Sequence, residues 1–215
     1  MNYKQTFAGK MGLQNFEDYI KFPKFLTIET CDYCNAKCVM CPKGMEKHGE
    51  HSGIMDDDTF LILLDELRSH ADWINMICMN SDGEPLLDKK LAERIRRLKD
   101  IGIKHVYFST NGALLSEEKI RELLRSKVDD IRISINGFTK GTYEKIMAGL
   151  KYEQVMNHIH CLIRMRDAMK SNTEIRLRMV EMDENACETE EWMTYWKGNV
   201  SKLTEVTIRP KPVAT

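Results

Sequence analysis

Residues 31–42 read Cys31-Asp32-Tyr33-Cys34-Asn35-Ala36-Lys37-Cys38-Val39-Met40-Cys41-Pro42, which puts four of the chain's seven cysteines into one short loop. The other three, Cys78, Cys161 and Cys187, are scattered. A disulfide scaffold would be shorter and would spread its cysteines. Thiols crowded into one loop point instead to metal, because thiolate is a soft ligand suited to iron–sulfur clusters, zinc and copper(I). Two assignments compete. The pairs Cys31/Cys34 and Cys38/Cys41 suggest a tetrahedral zinc, although such sites usually place a long loop between the pairs and here three residues separate them. Alternatively, Cys34, Cys38 and Cys41 form a Cys-x3-Cys-x2-Cys set for a [4Fe–4S] cube. Cys31 is then a bystander, and one iron stays open to an outside ligand.

On either side of this loop the apolar period switches between strand-like and helix-like. Phe25–Glu29 reads as a short strand that feeds the loop. Asp57–Ser69 carries Phe60, Leu61, Leu63, Leu64 and Leu67 at helical spacing. Trp73–Met79 is a buried strand followed by the turn Gly83-Glu84-Pro85, and Asp88–Lys99 is a helix stopped by Gly102. Lys104–Ser109 is a strand running to the turn Asn111-Gly112, and Ser116 caps a helix over Glu117–Ser126. Asp130–Ile135 is a strand, Thr142–Met147 and Glu153–Met169 are helices, and Glu174–Val180 is a strand. Asn185 and Glu188 have the spacing of a capping box before the helix Glu188–Trp196. Leu203–Arg209 is the final strand.

These six strands separated by helices predict an α/β fold with a parallel sheet, a partial (β/α)6 barrel whose last helix is missing. Residues 1–24 read as an N-terminal extension and 25–215 as one core domain; 215 residues suit a single core on the rule of about 100–200 per domain. Hydrophobic residues make up 42% and charged residues 30%, which excludes a disordered chain. No apolar run approaches the roughly 20 residues that span a bilayer, and residues 1–16 contain no signal-peptide core, so the cytoplasm is the expected location. A net charge of -1 offers no nucleic-acid footprint. The basic cluster Arg94, Arg96, Arg97 and Lys99 reads as a solvated helix face. His48 and His51 read as surface residues, and Trp192, Tyr195 and Trp196 as helix packing.

In parallel α/β sheets the site lies at the carboxyl ends of the strands. Four unusual polar segments each follow a strand directly: the cysteine loop, Asp82-Gly83-Glu84-Pro85, Ser109-Thr110-Asn111-Gly112 and Ser134-Ile135-Asn136-Gly137. All four therefore open on one rim. Cys-x3-Cys-x2-Cys after the first strand of a partial barrel resembles the signature of the radical S-adenosylmethionine (SAM) superfamily. The companions agree: Asp82-Gly83-Glu84-Pro85 is similar to that family's Gly-Gly-Glu-Pro, with Asp82 in place of the first glycine. Ser109-Thr110-Asn111-Gly112 is similar to its Ser-Thr-Asn-Gly. Arg132-Ile-Ser134-Ile-Asn136-Gly137 is similar to its Arg-Ile-Ser-Ile-Asp-Gly, with Asn136 for Asp.

The resemblance implies that Cys34, Cys38 and Cys41 ligate a [4Fe–4S] cluster whose open iron is chelated by SAM. An electron from the cluster then cleaves SAM to a 5'-deoxyadenosyl radical, which abstracts hydrogen from substrate. It also implies SAM contacts from Gly83, Glu84 and Pro85, from Ser109 and Asn111, and from Ser134 and Asn136. Met40 and Val180 are implied to face the adenine. Met147 stands where relatives often carry an arginine for the SAM carboxylate, and Arg176 or Arg178 is the implied substitute. The implied partners are an electron donor such as flavodoxin or ferredoxin and a peptide or small-molecule substrate. The nearest branch modifies ribosomally made peptides and proteins or dehydrogenates sulfatases and sugars. Its members usually continue into a cysteine-rich domain, whereas no cysteine here follows Cys187, so a minimal enzyme or a piece of a longer one is expected. A zinc-stabilised binding module and a degenerate cluster-binding homologue are the alternatives.

Overall fold

The alternation of apolar periods is realised as six parallel strands hydrogen-bonded in chain order. They are β1 (Phe25–Thr27), β2 (Met76–Cys78), β3 (Val106–Thr110), β4 (Asp130–Ser134), β5 (Glu174–Glu181) and β6 (Thr204–Pro210). This computed structural model describes residues 22–45, 53–200 and 204–210. Between consecutive strands run the helices α1 (Asp57–Ser69), α2 (Leu91–Asp100), α3 (Glu117–Arg125), α4 (Lys140–Ile146), α5 (Tyr152–Ala168) and α6 (Thr189–Gly198). Within the described residues β1 and β6 are the free edges of the sheet, which is the expected partial barrel.

The two faces differ because side chains alternate along a strand. Ile77, Val106, Phe108, Ile131, Ile133, Ile175, Leu177 and Met179 are solvent-free and turn towards the helices. Helical residues such as Leu98, Ile120, Ile159, Trp192 and Trp196 are equally buried in the same core, so the two tryptophans are packing residues, as their spacing suggested. The opposite face is polar. Register sets Tyr107 beside Asp130 and Asp130 beside Glu174; one step up, Ser109 lies beside Arg132, Arg132 beside Arg176, and Arg176 beside Glu205. One step higher, Ser134 lies beside Arg178, and Arg178 beside Thr207. Asp130 is fully buried, accepts from Arg132 Nε at 2.7 Å and lies 3.0 Å from Arg176 Nε. Arg132 also lies 3.5 Å above the Tyr107 ring.

Helix starts follow local chemistry. Asp56 accepts from the Thr59 amide at 2.8 Å ahead of α1, and Ser116 accepts from the Lys119 amide ahead of α3 as expected. Gly102 and Gly112 both have positive φ, at the helix stop and at the Asn-Gly turn respectively. No helix among the described residues is long and apolar enough to cross a membrane.

Several expectations are corrected. The second strand is shorter than Trp73–Met79, because Trp73 belongs to the turn after α1 and its indole N–H donates to the Phe22 carbonyl at 2.7 Å. The helix expected from Asp88 begins at Leu91, since Pro85–Leu87 forms a separate 3-10 turn and Asp88 accepts from the Lys90 amide. The basic cluster is not one solvated face. Arg94 is 3% exposed, ion-paired to Asp88 at 3.0 Å and stacked over Phe60, while Lys99 pairs with Asp129. Asn185 and Glu188 do not form a capping box: Asn185 accepts from the Met182 amide and donates to the Val180 and Asn136 carbonyls, and Glu188 turns to the loop after β4. The helix expected over Thr142–Met147 runs from Lys140 to Ile146, and Met147 leaves it. Met147–Ala148 pairs antiparallel with Lys37–Cys38 in a two-residue ribbon with no counterpart in the expected strands. His48, His51, Leu203 and most of the 1–24 extension lie outside the described residues. Within the described part of that extension, Phe22 stacks on His70 and Lys24 lies over Trp73.

Candidate active site

The loop leaving β1 separates its four cysteines. Cys31 is buried, its thiol donates to the Tyr33 carbonyl at 3.5 Å, and its main chain bridges to Ile54. Burial raises its pKa, with Asp32, Asp88 and Glu84 adding to the effect. Cys34, Cys38 and Cys41 are each half-buried, and there the loop thiols act on one another. Burial, reinforced by Cys34 and Cys41, pushes the Cys38 thiol up to about 12. Burial also raises Cys34, helped by Glu84 and Cys41 and opposed by the Ala36 amide, which donates to its sulfur at 3.4 Å. Thiols held protonated in this way release their protons to a metal. Three mutually interacting soft donors with the fourth cysteine turned aside fit a cube that takes three protein thiolates. They do not fit a four-cysteine zinc site. No three His, Cys, Asp or Glu side chains among the described residues converge on a single ion position; a cube needs no such convergence, because each thiolate binds its own iron.

The second loop is pressed against the first. A Cβ on Gly83 would lie 2.0 Å from the Cys31 carbonyl oxygen, so only glycine lets the two backbones approach. Glu84 donates its amide to the Tyr33 carbonyl. Its carboxylate is buried and accepts from the Leu86 amide at 3.1 Å, the Thr110 hydroxyl at 2.7 Å and the Asn111 amide at 2.8 Å. Burial pushes that carboxyl's pKa up, and these donors pull it back. Glu84 thus buckles the Gly83-Glu84-Pro85 loop to the loop after β3, and its side chain is committed to the fold. Pro85 opens the 3-10 turn, where a missing N–H costs nothing.

Asn111 donates to Asn35 Oδ1 at 2.8 Å and approaches Cys34 Sγ at 3.8 Å, bringing the third loop onto the cysteines. Ser109 lies on the polar face with its amide donating to Asn80. Ser134 is half-buried next to Arg178, whose Nε is buried without a hydrogen-bond partner among the described residues. Burial and the nearby Arg132 and Arg209 guanidiniums lower the Arg178 pKa. Asn136 is 4% exposed; its Nδ2 donates to Met147 Sδ at 3.2 Å and its Oδ1 accepts from the Val180 amide at 2.9 Å. Val180 and Met40 are half-buried against the core. Arg176 is engaged by Asp130, Glu174 and Glu205, which leaves Arg178 as the freer of the two expected cations.

Four positioning residues escaped the sequence reading. Glu29 Oε1 accepts from the Asp82 and Gly83 amides, at 2.7 and 2.8 Å. Asn80 Oδ1 holds the Ser109 amide at 2.8 Å. Asn185 donates to the Val180 and Asn136 carbonyls, at 2.9 and 3.3 Å, and Glu188 accepts from Phe138, Thr139 and Thr142. The available signal was position: Glu29 and Asn80 each stand two residues past the end of a strand, β1 and β2, where polar side chains meet the rim.

A family model described as "Radical SAM superfamily" matches residues 28–177. The chain is 32% identical over 137 residues to the "Tungsten-containing aldehyde ferredoxin oxidoreductase cofactor-modifying protein" of Pyrococcus furiosus, covering 61% of this chain and 37% of that protein. It is 29% identical over 146 residues to GTP 3',8-cyclase of Limosilactobacillus fermentum, covering 67% and 43%. The chain therefore spans less than half the length of these curated relatives. Among solved structures, SuiB of Streptococcus suis bound to S-adenosylmethionine superposes with a TM-score of 0.70 at 16% identity, over 99% of this chain and 52% of that one. SuiB bound to precursor peptide SuiA gives 0.69 at 16% identity, over 91% and 42%. At these identities the two superpositions establish a common fold.

Proposed function

The chain belongs to the radical SAM superfamily, whose cofactors are a [4Fe–4S] cluster and SAM, and on that premise we propose that Cys34, Cys38 and Cys41 hold the cluster in an enzyme that abstracts hydrogen from a peptide or protein. The observation that carries this reading is that Cys31 is buried, with its thiol donated to the Tyr33 carbonyl and its main chain bridged to Ile54, while Cys34, Cys38 and Cys41 stay half-buried in the same loop. When bound, the cluster and SAM supply reductive cleavage of SAM and hydrogen abstraction from the substrate.

The chain's own residues bind and orient. The backbone of Gly83, Glu84 and Pro85, held by Glu29 and the Glu84 carboxylate, presents main-chain groups to the SAM amine. Ser109 and Asn111 bound the site on the next strand, and Ser134 with Asn136 bounds the methionyl and ribose groups. Arg178, beside Ser134 and short of partners, takes the carboxylate in place of the arginine that Met147 replaces. Met40 and Val180 flank the adenine. The likeness to the peptide-bound SuiB fold supports a peptide. A nucleotide or another small molecule is the second reading, favoured by the identity to GTP 3',8-cyclase. An electron donor such as flavodoxin or ferredoxin completes the system.

The test is anaerobic reconstitution with iron and sulfide, then dithionite and SAM, with 5'-deoxyadenosine measured. Wild type and Cys31→Ala are expected to load a cluster and make the product, and Cys34→Ala to do neither. Bound zinc without iron uptake, or a cluster lost with Cys31 and kept without Cys34, would overturn the assignment.

A further inference from the structure

Met147 is the last residue one would expect beside a cluster ligand, since it carries neither charge nor a donor hydrogen. It caps the C-terminus of α4, is 2% exposed, and stands opposite Cys38 in the two-residue ribbon. The ribbon is tied further by the Val39 amide donating to the Ile146 carbonyl at 3.0 Å, and the chain leaves it through Gly149 at positive φ. Met147 Sδ lies 3.5 Å from Cys38 Sγ and 3.2 Å from the Asn136 amide nitrogen. The thioether is therefore wedged between the Cys38 sulfur and the Asn136 side-chain amide. It accepts the Asn136 hydrogen itself, and Asn136 is also held from its other end by the Val180 amide.

An iron–sulfur cluster's reduction potential is set by hydrogen bonds to its sulfurs, nearby charge and solvent exposure. Hydrogen bonds and water both stabilise the more negative, reduced cluster, and beside the Cys38 sulfur Met147 stands in the way of each. Its buried thioether fills that side of the sulfur, offers it no hydrogen, and takes up the Asn136 amide hydrogen itself. Once metal replaces the thiol proton, the Cys38 hydrogen now pointing at Met147 is gone, and the contact becomes sulfur against sulfur.

We propose that Met147 is a positioning residue that shields the Cys38 sulfur from the Asn136 amide and from water on that side, and so holds the cluster's reduction potential low. This rests on the cluster assignment above. A low potential makes the reduced cluster a stronger donor of the electron that SAM cleavage requires.

The test uses reconstituted full-length chain without SAM, titrated anaerobically against potential and followed by the electron paramagnetic resonance of the reduced cluster. Met147→Leu, similar in size and equally without donors, is expected to titrate with wild type. Met147→Gln, close in shape but carrying an amide, is expected to shift to a more positive potential. Met147→Ala guards against a glutamine variant that fails to load: by admitting water it should shift the same way and lose iron to a chelator several-fold faster. Glutamine and alanine variants that coincide with wild type, or a leucine variant that shifts as far as they do, would overturn the role of Met147. A wild type that takes up no [4Fe–4S] cluster would instead remove the assignment on which it rests.

Discussion

Glu188 shows how much one side chain can organise. It is 7% exposed and accepts from the Phe138 and Thr139 amides and from the Thr139 and Thr142 hydroxyls, which pins the loop after β4 to the start of α6. Burial alone would raise its pKa, but those four donors outweigh it and hold the carboxyl below the ordinary range. A folded-state value below the unfolded one adds stability above the unfolded pKa of about 4.3, and that stability is lost as pH falls through the folded value. Glu188→Gln should therefore cost about 1–3 kcal/mol at pH 7. Urea denaturation should show the gap to wild type closing below about pH 4; a gap that stayed constant with pH would mean that the charge is not what matters. Single residues were unevenly legible. The cysteine loop stood out because its spacing is local, whereas Glu188 has the spacing of a local cap and uses its carboxylate on residues 46 to 50 positions away.

At the level of the element, β4, β5 and β6 each separate an apolar from a charged face, and β4 carries the sharpest contrast. Ile131 and Ile133 are solvent-free on one side, and Asp130 meets Arg132 and Arg176 on the other. Asp130→Asn would leave two guanidiniums in the interior facing a neutral amide. Breaking a buried pair in this way costs about 3–5 kcal/mol. Equilibrium unfolding should show a loss of that order, and a loss below about 1 kcal/mol, the range of an exposed pair, would show that solvent screens the barrel interior. All six strands were visible beforehand, because five-residue alternation or a β-branched run is a periodic signal. The ribbon of Lys37–Cys38 with Met147–Ala148 was not, since two residues have no period and their partners lie in a helix-like stretch.

Over the whole molecule, the open sheet ends on β6, which pairs with β5 along its full length from Thr204 to Pro210. Thr204 accepts a hydrogen bond from the buried Arg166 at 3.0 Å, and Val206 and Ile208 pack on the core. A chain stopped at Val200 would bare the edge of the long β5 strand, a template for pairing with other chains. It is expected to aggregate on concentration, as light scattering would report; a monodisperse, cooperatively unfolding product would show that β6 is dispensable. By itself, the sequence determined the β/α alternation, the rim on which four polar loops open, and the crowding of four cysteines into one loop, because these depend on spacing along the chain. Tertiary structure alone decided that Cys31 turns away, that Glu84 is a buckle, that Arg94 is buried, and that Met147 meets Cys38 and Asn136. The physical reason is that a side chain's partner is chosen by which backbones pack within hydrogen-bonding or van der Waals reach. For these residues the partners come from segments that only the closed fold brings together.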